Sequence, residues 1–374
     1  MTGRIRGVAL ALRLAGTAAL AGGMALPGCA PVDAPSAASP APRSGGIEWI
    51  DVHAHLVGGR ADQGEDYRGA VAAAVAAMGE GRIRKMVVMP PPQVRGMPGL
   101  HDSDRFVAAL THHPGHFAFL GGGGTLNVML QEAGPERAIG DGLRRRFEEQ
   151  ALAILRQGAA GFGEITAHHL SHLPDHPYES VPADHPLLLL LADIAARHDV
   201  VIDFHFDLVA SDMRSPEWLA SPPNPPLLRA NLAAFERLLA HNRKAKIVWA
   251  HAGSDMLGHW TTDLSRDLLA RHPNLSMSLR MGPGRAPENH PLTPTLEMKP
   301  EWLRLLQDFA DRFVLGGDQF IVSPSVRGGG PAVIFAQRAP RMRERTRAFL
   351  DALPPELARR IARENAMRLY RLQD

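Results

Sequence analysis

The sequence predicts an α/β fold whose parallel strands close into a (β/α)8 barrel of the TIM type. Three observations predict it. Apolar strand-like runs and amphipathic helix-like runs alternate eight times, with no block of successive strands. The side chains best able to bind metal fall where those strands end. The segments after strands four, five, seven and eight are long and rich in proline and glycine, while the returns at the other end are short. Loops that follow the strands build the working face of such a barrel.

The first strand is residues 47–56, IEWIDVHAHL. Side chains alternate along a strand, so His53 and His55 share a face, and Asp51 shares it one step earlier. An alanine-rich helix over 67–78 follows, then a strand over 83–89 stopped by three prolines at 90–92. A helix around 104–111 leads to the third strand, 117–120, which runs into four glycines at 121–124. Such a run reads as a loose turn or as a place where backbone approaches a ligand. An amphipathic helix over 143–157 precedes the fourth strand, 161–165, GFGEI. Helices over 186–198, 227–242, 264–272 and 302–312 alternate with strands over 200–205, 247–251, 275–279 and 313–317. Helices over 341–353 and 355–372 close the chain. The long loops are 168–185, 206–226, 281–300 and 319–340.

Ahead of the barrel, Arg4, Arg6 and Arg13 are the only charges up to Gly28, and 14–26 is apolar and small. That stretch has the length of a signal-peptide core and is too short to span a membrane. Leu26-Pro27-Gly28-Cys29 resembles a bacterial lipoprotein signal, in which the cysteine is lipidated and becomes the new N-terminus. The expected division is therefore a signal peptide over 1–28, a flexible tether of Pro, Ala, Ser and Gly over 29–46, and the barrel over 47–374. Ala30 stands where an aspartate would resemble an inner-membrane retention signal. The expected location is the bacterial cell envelope, lipid-anchored on the periplasmic face of the outer membrane, with the lipid as the only membrane contact. No twin-arginine pair is present, so export in the unfolded state is expected, with metal acquired outside the cytoplasm.

Lysine and arginine number 41 against 39 acidic residues. Three of the basic residues and none of the acidic ones precede Cys29, which leaves 38 against 39, a net charge of −1. No basic run stands out, so nucleic acid is excluded as a partner. A small-molecule substrate is expected, and a homo-oligomer is left open. Cys29 is the only cysteine, so stability rests on a packed core rather than on disulfides.

Strand one ends in His53 and His55, strand four at Glu164, strand five at His205, strand six at His251 and strand eight at Asp318. Singly, each is an ordinary polar residue at a strand end. Together they place imidazoles and carboxylates at one mouth of one barrel, which is the composition of a metal site. Asp203 and Asp51 lie on the inward face by period two, either holding a histidine's other nitrogen or satisfied by backbone. His168, His169 and His172 cluster after strand four, as substrate contacts or as a solvated loop. Arg280 ends strand seven, as a binder of substrate carboxylate or as a surface arginine. Trp218 and Trp260 line the pocket or pack, with packing favoured for Trp260.

IDVHAH, GFGEI, VIDFH, VWAHAGSD, LGGDQF and a last helix ARENAMRLYRL with Asn365 together resemble the amidohydrolase superfamily. The resemblance is strongest to its amidohydrolase-related branch (amidohydrolase 2), which includes aminocarboxymuconate-semialdehyde decarboxylase-like proteins, and it covers nearly all of 47–372. It implies a divalent metal, first of all zinc, held by His53, His55, His205 and Asp318. His251 would polarise the substrate or bind a second metal. In binuclear relatives a carboxylated lysine or a glutamate at the end of strand four bridges two metals, and Glu164 sits there. The branch mostly follows the mononuclear pattern, so one ion is the expectation, two the alternative, with Glu164 otherwise binding substrate or orienting water.

The implied reaction is hydrolysis of an amide, ester or lactone by a water whose pKa the metal lowers from 15.7 to roughly 7. Asp318 would act as general base turned general acid and His251 would stabilise the oxyanion. A non-oxidative decarboxylase of the same branch, and a non-catalytic binding protein of the envelope, are the rival expectations.

Overall fold

The computed structural model describes residues 46–59, 64–135, 138–173, 176–219, 223–282 and 284–373. The signal sequence, Cys29 and the tether up to residue 45 lie outside the described residues. Eight strands carry the barrel: β1 Trp49–Val57, β2 Ile83–Val88, β3 Phe117–Phe119 with its continuation Gly121–Gly122, β4 Gly161–His169, β5 Val201–Phe206, β6 Lys246–Ala252, β7 Leu275–Leu279 and β8 Phe313–Leu315. Every neighbouring pair is parallel, in the order 3-2-1-8-7-6-5-4. The run from Phe117 to Gly122 closes the ring. Phe117–Phe119 pairs with β2 and Gly121–Gly122 pairs with β4, with only Leu120 between them. Leu120 N donates to Val88 O at 3.0 Å, and Ala160 N donates to Phe119 O at 2.8 Å from the other side. The (β/α)8 expectation is borne out.

The helices lie between the strands: α1 Tyr67–Gly81, α2 Val107–Leu110, α3 Leu126–Ala133, α4 Asp141–Arg156, α5 Pro186–His198, α6 Leu232–His241, α7 Thr262–Arg271, α8 Pro300–Asp308 and α9 Pro331–Asp351. Local chemistry sets their ends. The Asp66 carboxylate accepts from Gly69 N at 2.8 Å to start α1, and Arg82 ends it in the left-handed region. α5 begins with Pro186 at its first position and ends on left-handed Asp199.

Two apolar clusters follow from strand alternation. The larger lies between strands and helices and includes Trp49, Phe204, Trp249 and Trp302. The smaller gathers Ile50, Val52, Val87, Leu120, Val201, Val248 and Val314 from six strands, which meet only inside the barrel. Ala366, Leu369 and Tyr370 of the C-terminal helix join that inner cluster. Asn365 Nδ2 fastens this helix beneath β8 by donating to Ala310 O and Phe313 O, both at 2.8 Å. The N-terminal end of the barrel is thus plugged, and chemistry is confined to the other mouth.

Several sequence expectations change. Asp51 does not share the face of His53 and His55. The β1–β2 register shifts between Asp51 and Ala54, and Ile50 and Val52 are the inward residues there. A bulge of this kind breaks period two. The fourth strand runs on to His169, because His168 and His169 pair antiparallel with Ser180 and Glu179. Glu164 is therefore inside β4 rather than at its end, and His168 and His169 are buried strand residues, not loop. In the glycine run, Gly121–Gly122 is strand and Gly123–Gly124 is a turn packed on the proline segment: a Cβ on Gly123 would lie 2.5 Å from Pro91 O and 2.6 Å from Pro90 O. Leu227–Leu228 is a short strand paired with Met213–Arg214, and α6 starts only at Leu232. α9 starts at Pro331, ten residues before the expected helix, and carries Pro340 within it.

Candidate metal centre

The six residues at the strand ends meet, and Glu164 is their centre. Its Oε2 lies 3.3 Å from His53 Nε2 and 3.4 Å from His55 Nε2. Its Oε1 lies 2.8 Å from His205 Nδ1 and 3.2 Å from His251 Nε2. His55 Nε2 is also 3.4 Å from Asp318 Oδ1, and His251 Nε2 is 3.0 Å from His205 Nδ1. One carboxylate thus faces one histidine pair with each oxygen. His205, expected to join His53, His55 and Asp318, lies instead with His251 on the opposite oxygen.

Backbone geometry aims these groups. β5 alternates cleanly, so Ile202, Phe204 and Phe206 join the outer cluster while Val201 joins the inner one and His205 reaches the centre. His251 and Asp318 both sit at positive φ, 69° and 48°. Non-glycine residues rarely adopt this conformation, and the cost is tolerated where a site needs a side chain turned inward. Gly316 lets β8 approach β1 closely, since a Cβ there would lie 2.9 Å from His53 Cβ. Asp318 N then donates to His53 O at 2.8 Å, and strand pairing resumes with β9, Gln319–Val322, against β1.

Of the ring nitrogens not facing Glu164, that of His55 is hydrogen-bonded, while those of His53 and His205 stand beside carboxylates without a hydrogen bond. His55 Nδ1 donates to Met89 O at 3.0 Å, which leaves Nε2 as the lone-pair nitrogen. His53 Nδ1 lies 3.1 Å from Asp203 Oδ1, and both residues are fully buried. His205 Nε2 lies 3.6 Å from Asp207 Oδ2, a carboxylate that sequence reasoning missed. Asp51 instead accepts from Gly317 N at 2.7 Å, Gln319 Nε2 at 2.5 Å and His53 N at 3.2 Å, and so ties β1 to the segment after β8. Arg280 is not free at the surface: its Nε lies 3.1 Å from Asp318 Oδ2 and its Nη1 donates to Ser254 Oγ at 3.0 Å.

Charge is strongly organised here. Burial disfavours the ionised Glu164 carboxyl, yet His53, His205 and His251 override it and hold the group well below the usual range. Asp318 is likewise held low against burial, by Arg280, His251 and His55. Burial works against a charged His205, but Asp207 and Glu164 raise it to about 10. Burial lowers His251.

The residues fit divalent metal. His53 Nε2 and His55 Nε2 are buried without a hydrogen-bond partner, with carboxylate oxygens 3.3–3.4 Å away. A tetrahedral zinc with bonds of about 2.0–2.1 Å separates its ligands by about 3.3–3.4 Å, matching the spacing around Oε2. Two ligand groups result, His53 with His55 and Glu164, and Glu164 with His205 and His251.

The remaining candidates separate. His168 is engaged through both nitrogens, Nδ1 with Asp207 O at 2.6 Å and Nε2 with Tyr178 Oη at 3.3 Å. His169 lies against His205, with ring centroids 4.0 Å apart. Trp260 packs: it is buried and stacked 3.6 Å from Trp249. Trp218 is partly exposed beneath the Arg285 guanidinium. A small cavity bounded by His205, Asp207, His251, Ser254, Asp255 and Trp260 opens beside the second ligand group.

Eight parallel strands with imidazoles and carboxylates converging at one mouth define the metal-binding class of α/β barrels. The chain belongs to the amidohydrolase family, whose model matches residues 50–372. Members are hydrolases or related decarboxylases and usually bind a divalent metal. Comparison with curated proteins gives no match. Among solved structures, an amidohydrolase 2 from Bifidobacterium longum subsp. infantis is 12% identical, with a TM-score of 0.41, covering 87% of this chain and 100% of that one. An amidohydrolase from Mycobacterium avium subsp. paratuberculosis K-10 is 15% identical, with a TM-score of 0.40, covering 80% of this chain and 74% of that one.

Proposed function

We propose that this protein hydrolyses an amide, ester or lactone bond in a small molecule, using two divalent ions, zinc foremost, shared through Glu164. The observation that carries the reading is the split of Glu164, Oε2 toward His53 and His55 and Oε1 toward His205 and His251. His53, His55, Asp318 and Glu164 would hold one ion, and Glu164, His205 and His251 the other. This departs from the single ion expected from the resemblance. Ions bound there would lower the pKa of water and polarise the bond to be cleaved.

The protein's own groups supply the rest. Arg280 fixes Asp318 through Oδ2, which leaves Oδ1 facing the centre. Asp318 Oδ1 is then the acceptor for the proton of the attacking water and the donor that returns it to the leaving group. His251 would hold the second ion rather than serve as a free proton donor. Asp203 and Met89 O fix the orientation of His53 and His55. Burial of His53, His55 and Glu164 keeps bulk water out and strengthens every charge interaction.

A carboxylate shared between two ligand groups suits activation of water, and this favours hydrolysis over the decarboxylation that the amidohydrolase-related branch also includes. A panel of small amides, esters and lactones, scored for acid release and for carbon dioxide, separates the readings. Acid release supports the hydrolase, carbon dioxide supports a decarboxylase, and an inert metal-replete protein supports a binding role.

We place the enzyme in the cell envelope, held through lipidated Cys29, because of the apolar leader and the tether that follows it. Among the described residues no helix is long and apolar enough to cross a membrane. Cys29→Ser should move the protein from the membrane to the soluble periplasmic fraction. Equal solubility of wild type and variant would remove the anchor.

A further inference from the structure

We propose that His169, His172 and His176 form a separate mononuclear site for a zinc-class divalent ion on the segment that leaves β4. Their ligand nitrogens lie within 4.8 Å of one another, and the group shares no residue with the centre around Glu164. The rings are packed together, with His169 and His176 centroids 4.5 Å apart and those of His172 and His176 4.9 Å apart.

Proximity alone would be weak. The outer nitrogens make the stronger argument. Histidines that bind metal almost always donate their other ring N–H to a carboxylate or a carbonyl, which fixes the tautomer and aims the lone pair. His169 Nδ1 lies 3.3 Å from Glu179 Oε2, within hydrogen-bond reach, and His172 Nδ1 donates to Leu170 O at 3.0 Å. The His172 ring therefore offers Nε2, and so does the His169 ring when Glu179 is ionised. Glu179 is buried and held in turn by Asn127 Nδ2 at 2.9 Å on Oε1, so the His169 support is itself supported. The third ring, His176, has a buried Nδ1 with no hydrogen-bond partner, and a metal bond is one way to satisfy it.

Three neutral imidazoles suit zinc, and they leave a fourth position for water or a ligand oxygen. Ligands on one tetrahedral ion stand about 3.3–3.4 Å apart, so binding draws the ligand nitrogens together by about 1.5 Å at most. His169 is anchored in β4, so the adjustment falls on His172 and His176. An ion held there pins that segment to the strand end next to His205, whose ring touches His169.

The test is zinc titration of the full protein stripped of metal, with bound equivalents counted by elemental analysis after gel filtration. The His172→Ala/His176→Ala variant should bind one equivalent fewer than wild type. Glu179→Gln, which removes no ligand, should weaken that one equivalent by about 10–100-fold. Circular dichroism and melting temperature establish that both variants are folded. Equal stoichiometry and affinity in wild type and the double variant would overturn the site. The deeper centre is scored separately: its equivalents depend on Glu164 and persist when His172 and His176 are replaced.

Discussion

Asp203→Asn isolates one interaction that supports the metal centre. Asp203 Oδ1 stands 3.1 Å from His53 Nδ1, and both residues are fully buried. The carboxylate orients the ring and makes its Nε2 a better donor, and Asn keeps the shape while removing the charge. Loss of such an outer partner costs about 10–100-fold in metal affinity, or about 1.4–2.8 kcal/mol at about 1.4 kcal/mol per tenfold. The assay is competition for zinc against a chromophoric chelator, on protein whose fold is checked by circular dichroism. Asp51→Asn is the control. It sits on the same strand two residues from His53 and bonds the backbone N–H of His53 and Gly317 and the Gln319 amide, but no ligand ring, so it should lower stability by about 1–3 kcal/mol and leave zinc affinity within about threefold. Equal zinc affinity in Asp203→Asn and wild type would refute the assignment. So would a larger loss in Asp51→Asn.

Asp318→Asn should cut kcat by about 10²–10⁴-fold, more than it cuts metal content, because it removes the proton acceptor; parallel kinetics and metal analysis check this. His290 is buried, and burial lowers it to about 4 from 6.5. The unfolded chain then binds more protons between those values, so this contribution is complete above about pH 6.5 and is lost as pH falls to about 4. At about 1.4 kcal/mol per unit it amounts to about 3 kcal/mol, and urea unfolding across that range should show a shallower pH dependence in His290→Gln.

The barrel was legible because alternation of apolar strands and amphipathic helices is a long-range pattern that local irregularity does not erase. The gathering of His53, His55, Glu164, His205, His251 and Asp318 was legible for the same reason: parallel strands bring their C-terminal ends to one mouth. What the pattern could not supply is local. The face of Asp51 is not legible because the β1–β2 register shifts between Asp51 and Ala54. Such shifts reset which face a side chain takes. In the sequence His168 and His169 resemble loop because their partner strand, Glu179–Ser180, is two residues long and carries no apolar signal. The pairing of His205 with His251 depends on the backbone at His251, whose positive φ no sequence pattern announces. Asp207 and Glu179 follow strands or loops at spacings that many surface carboxylates share.

The central claim is that Glu164 is shared between two ions. The most direct measurement is metal content per chain in the His172→Ala/His176→Ala background, with and without Glu164→Gln. The account predicts two equivalents in that background and no more than one after Glu164→Gln. A single equivalent that survives Glu164→Gln undiminished would contradict it.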